Sequence, residues 1–127
     1  MIISTPVSLG ELVDKISILH IKNTNIKDDK KLILVREELE LLIITLNDHV
    51  KKDDIKNYLD SLIDINLKLW KIEDDIRECE RTKNFDQNFI ELARSVYFTN
   101  DKRSEVKLDI NKRFGSKIIE VKSYEDY

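Results

Sequence analysis

Glycine and proline are nearly missing from this sequence: Gly10, Gly115 and Pro6 are all that 127 residues contain. Such scarcity excludes glycine-rich phosphate loops and argues against a fold built on many tight β-turns. Cysteine is reduced to Cys79, so neither an internal disulfide nor a cysteine metal cluster can form. No apolar run approaches the roughly 20 residues of a membrane span, since even Leu39 to Leu46 carries Glu40 and Thr45. The first residues lack the basic start and apolar core of a signal peptide, so a cytoplasmic setting is expected. The net charge is −3 with both signs interspersed. Without a one-signed basic footprint, nucleic acid is not an expected partner, and no membrane partner is expected either.

What is present is helical periodicity. Hydrophobic residues make up 41% and charged residues 37%, the balance of a folded chain, and the length suits a single helical domain over 1–127. Ser8 and Glu11 stand at capping-box spacing behind Pro6, with Val7 and Leu12 placed as a hydrophobic staple. They predict a first helix from about Leu9 to Lys22, with Leu9, Leu12, Val13, Ile16, Leu19 and His20 on one face. Ile18 and Ile21 fall off that face. A second helix is expected from Asp28 or Asp29 to about Asp48. Its main row is Leu32, Val35, Leu39, Leu42, Ile43 and Leu46. Ile33, Leu34, Leu41 and Ile44 extend the apolar surface almost all the way round, which asks for cover beyond one neighbour.

The third helix is the clearest. Ile55, Tyr58, Leu62, Ile65, Leu69, Ile72, Ile76 and Cys79 alternate by three and four within a span from about Asp54 to Lys83. Cys79 therefore reads as a small core residue. Asn84 and Asp86 mark a turn, Asp86 caps a fourth helix, and Gly115 ends it. Thr99, Asn100 and Asp101 favour caps and predict a kink within it. The short turn makes the last two helices an antiparallel hairpin. The expected class is all-α: a helical bundle around that hairpin, with short terminal strands over residues 1–4 and 118–122 as an addition.

Polar residues interrupt the apolar rows. Asn66, Glu73, Arg77 and Glu80 follow the line of Leu62 and Leu69, while Asn100, Arg103 and Lys107 stand between Val96 and Ile110. Folding back across residues 84–85 sets position 66 near 103 and 73 near 96. Asn66, Glu73, Arg77, Asn100 and Arg103 are thus candidates for an interhelical cluster holding an anionic ligand, with Glu73 as candidate base. The alternative is structural. Asn66, Glu73 and Glu80 occupy positions flanking a heptad seam, where charge is common, and Arg77 can lay its stem over the core rim.

Other chemistry finds less support. His20 and His49 lie in no helical metal-ligand spacing, and no metal or cofactor is assigned. Glu37-x-x-Glu40 and Glu11-x-x-Asp14 have the spacing of magnesium-holding carboxylates in all-helical nucleotide pyrophosphohydrolases, but in reversed order. Trp70 and Tyr97 read as packing residues rather than a stacking platform.

Residues 6–19 (PVSLGELVDKISIL), 69–77 (LWKIEDDIR) and 89–103 (FIELARSVYFTNDKR) together resemble a family of small bacterial and marine-phage proteins known only as a domain of unknown function. The likeness spans nearly the whole chain and draws attention to Trp70, Glu73, Asp74, Arg77, Arg94, Tyr97, Asn100, Asp101 and Arg103. It implies no activity and carries over no catalytic residue.

Two functions follow as expectations. One is a non-enzymatic helical module that self-associates, as a homodimer. The other is a small enzyme or binding protein for a phosphorylated or otherwise anionic metabolite, using the Glu/Arg/Asn cluster.

Overall fold

A computed structural model describes residues 1–127 as four helices and no strand: α1 (Leu9–Asn25), α2 (Asp29–His49), α3 (Lys52–Thr82) and α4 (Gln87–Arg113). Local chemistry sets the ends. Ser8 Oγ accepts from the Glu11 amide at 3.1 Å, Asp28 Oδ1 from the Lys31 amide at 3.0 Å, and Asp86 Oδ1 from the Phe89 amide at 3.3 Å. The α3–α4 turn closes with Asn84 N donating to Cys79 O at 2.9 Å across Lys83, whose φ of 55° is left-handed. Gly115, at φ 66°, ends α4 in the same way, with Ser116 N donating to Asn111 O at 2.8 Å.

α1 is the central rod. It packs against each of the other three helices, α3 packs against α4, and α2 has α1 as its chief neighbour. Leu12, Val13, Ile16 and Leu19 meet Leu39 and Leu46 of α2, Ile55 and Leu62 of α3, and Ile110 of α4 in one core. Burying a side chain such as Ile16 or Ile110, both wholly enclosed, contributes about 1.5–3 kcal/mol each. Central placement also explains Ile21. It falls off the main face, yet it is buried, because α1 has neighbours on more than one side.

The antiparallel hairpin forms as expected. The Tyr58 ring near the start of α3 meets the Phe114 ring beyond the end of α4, edge to face at 6.1 Å. α4 runs as one long helix through Thr99, Asn100 and Asp101, as expected, and Asn100 accepts from Arg103 there. One local expectation is corrected. The terminal segments form no strands: Ile2 and Ile3 are 82% and 78% exposed, and two short isolated segments have too little to pack on.

Candidate functional site

The polar residues of α1, α3 and α4 converge on a carboxylate that the sequence reading did not select. Asp14, 1% exposed, accepts from Arg103 Nε at 2.9 Å and Nη2 at 2.5 Å, and from Asn66 Nδ2 at 2.9 Å. Asn66 Nδ2 also reaches Ser17 Oγ at 2.8 Å, and the Ser17 hydroxyl donates to the Asp14 carbonyl at 2.6 Å. Asn100 Oδ1 takes Arg103 Nη1 at 3.5 Å. The Asp14 hydrogen bond, held against some desolvation, raises the Arg103 pKa further above its ordinary value.

One turn along α4, Lys107 Nζ bridges Glu11 of α1 at 2.9 Å and Glu120 of the C-terminal segment at 2.7 Å. Burial pulls the Lys107 pKa down, but the two carboxylates outweigh it and the net shift is upward. Hydrogen bonds from Lys107 and Lys122 hold Glu120 below its usual carboxylate value. Glu11 thereby departs from its expected role. Its backbone N–H takes the Ser8 cap, but its carboxylate goes to Lys107 rather than back to the Ser8 amide.

Next along α4, the Gly10 amide donates to Asn111 Oδ1 at 2.7 Å, while the Asn111 Nδ2 is buried without a partner. A Cβ on Gly10 would lie 2.5 Å from the Lys107 carbonyl oxygen, so only glycine permits this approach of α1 and α4.

Of the candidates named from sequence, Asn66, Asn100 and Arg103 are brought together, through Asp14. Glu73 and Arg77 are not. They pair with each other on the exposed side of α3 at 3.5 Å, with side chains 53% and 74% exposed, and neither makes a hydrogen bond or ion pair to α4. The physical reason is their position beside the seam, where both reach water without crossing to the other arm. Asp14 had a signal of its own. Gly10, Asp14, Ser17 and Ile21 recur at helical spacing and form a second buried row on α1.

The C-terminal segment lies along this cluster. After Ser116 it makes no backbone–backbone hydrogen bond, and side chains hold it. Glu120 holds Lys107, and the Tyr127 ring packs at a tilt on Tyr97 and edge to face on Phe98, with centroids at 5.5 and 5.0 Å. The Tyr127 hydroxyl donates to Asp101, which pushes its pKa up to about 12. Between this segment and α4 is an open cleft of about 1340 Å³, whose walls carry Arg94, Arg103, Lys107 and Lys122 together with the carboxylates of Glu11, Asp101, Glu105, Glu120, Glu125 and Asp126.

The chemistry available is limited by pairing. Arg103 is engaged by Asp14, and Lys107 by two carboxylates. No three His, Cys, Asp or Glu side chains come together as a metal site. Cys79 is a free, buried thiol, and burial lowers the pKa of His20. No helix is long and apolar enough to cross a membrane.

A model for a family of unknown function, DUF6165, matches residues 3–127. No curated protein and no solved structure matches the chain.

Proposed function

The chain belongs to that family of unknown function, and we propose that it works as a non-enzymatic helical module pairing with a second copy of itself through the outer side of α2. The observation that carries the reading is a row of large apolar side chains left in water. Ile33, Leu34, Leu41 and Ile44 are 56%, 67%, 51% and 55% exposed, while Leu32, Leu39 and Leu46 on the opposite side are buried.

The polar cluster supports the same reading from the other direction, because its charges meet one another and clamp α1 to α4. A cytoplasmic setting goes with this reading, in keeping with the lone thiol of Cys79. Size-exclusion chromatography with light scattering tests it. A dimer is expected for the full chain, and a monomer of 15.0 kDa at micromolar concentration overturns it.

A second reading draws on the open cleft, whose four basic side chains offer partners to an anionic metabolite such as a phosphate ester, against six carboxylates on the same walls. The existing ion pairs weigh against it, since a ligand must displace Glu120 or compete with Asp14. Stabilisation of the full chain by phosphorylated metabolites in a thermal-shift screen would favour this reading.

A further inference from the structure

The outer side of α2 also carries a direction. Lys30, Leu34, Glu37, Leu41, Ile44 and Asp48 follow one another at alternating intervals of four and three, and all six are exposed. That is the spacing of a two-helix seam. Reversed end for end, the row maps onto itself, pairing Lys30 with Asp48, Leu34 with Ile44, and Glu37 with Leu41.

Resting on the self-association reading, we infer that two copies join through α2 in antiparallel fashion, Lys30 of each chain facing the partner's Asp48. Two-fold symmetry supplies every rung twice. Leu34 packs on the partner's Ile44, and the Glu37 stem lies over the partner's Leu41 while its carboxylate reaches water. Ile33 flanks the seam and widens its apolar strip.

Charge complementarity decides the orientation. A parallel pair would set Lys30 against the partner's Lys30, Glu37 against the partner's Glu37, and Asp48 against the partner's Asp48. Each is a like-charge contact, and those contacts oppose association. The antiparallel pair turns both end rungs into ion pairs and takes the two Glu37 carboxylates off a shared rung.

The helix itself gives no reason for these end charges. Lys30 is in the first turn and Asp48 in the last, each at the end where the macrodipole disfavours it, beside Asp29 and His49, which suit it. Neither Lys30 nor Asp48 has an ion-pair partner within its own chain, although ten such pairs occur elsewhere. An acidic group on the partner at one end, and a basic group at the other, completes both.

The test is sedimentation equilibrium on the full chain, the single variants Lys30→Glu and Asp48→Lys, their double variant, and Leu41→Asp. All three positions, Lys30, Leu41 and Asp48, are exposed, and far-UV circular dichroism checks that the helices persist. Each single charge reversal is expected to weaken the dimer about tenfold, and the double variant to return it to within about threefold of the original. Leu41→Asp is expected to abolish association whatever the orientation. A dimer that Leu41→Asp breaks, but that the single reversals leave unchanged, overturns the antiparallel arrangement alone. A monomeric full chain, or a dimer indifferent to Leu41→Asp, overturns the self-association reading beneath it.

Discussion

Arg103 grips Asp14 with two nitrogens, Nε at 2.9 Å and Nη2 at 2.5 Å, joining the middle of α4 to the first half of α1. Asp14 is 1% exposed on its side chain and Arg103 27%, so removing either partner has unequal consequences. Arg103→Met strands a buried carboxylate with Asn66 and is expected to cost about 3–5 kcal/mol. Asp14→Ala leaves an arginine that can turn toward water and should cost less. Urea unfolding followed by circular dichroism checks both. Equal losses below about 1 kcal/mol would show that the pair does not clamp the helices.

Gly10→Ala reports on how closely α1 and α4 approach. Alanine normally favours a helix over glycine by about 1 kcal/mol. Here the added methyl would stand 2.5 Å from the Lys107 carbonyl oxygen, on backbone that cannot turn aside. The expected result is a net destabilisation of about 1–3 kcal/mol in thermal or urea unfolding. Stabilisation would mean that the helices sit further apart.

The C-terminal segment should loosen in acid. Glu120 has its pKa lowered by Lys107 and Lys122 in the folded state. A depressed carboxylate contributes stability above its ordinary value of 4.5 and loses it as pH falls through the lower, folded value. Nuclear Overhauser contacts of the Tyr127 ring with Tyr97 and Phe98 should therefore fade below that window, and Glu120→Gln should weaken them already at neutral pH. Ring contacts equally strong in the variant and the original chain would contradict the Lys107 tether.

Glu37→Leu is expected to tighten self-association about tenfold, because it replaces the one polar group within the apolar part of the α2 row. The same change removes a charge that disfavours parallel pairing, so the orientation preference should weaken. Dilution series in the analytical ultracentrifuge measure the first effect. An unchanged dissociation constant would place the interface elsewhere.

The helices were legible because their signals were local. Ser8, Asp28 and Asp86 cap as their side chains dictate, and the row from Ile55 to Cys79 requires a long rod with a neighbour along it. The pairing of position 66 with 103 followed from the short turn alone. Asp14 and Glu73 show where that reasoning stopped. Both are carboxylates beside an apolar row, and their fates depend on whether a neighbouring helix covers that flank. α1 is enclosed on several sides, so Asp14 is buried and becomes the hub. The Glu73 flank of α3 faces water, so its carboxylate stays with Arg77. Packing around α1, rather than any property of the two residues, separates them. Likewise, Lys107 and Asn111 continue the Asn100 and Arg103 row, but only the approach at Gly10 turns that row into a clamp.

The most direct test of α2 as a pairing surface is the mass of the full chain in sedimentation equilibrium, beside that of Leu41→Asp. The account predicts twice 15.0 kDa for the former and 15.0 kDa for the latter, with equal helical content. A full chain that sediments at 15.0 kDa across the micromolar range, or a variant that stays dimeric, would contradict it.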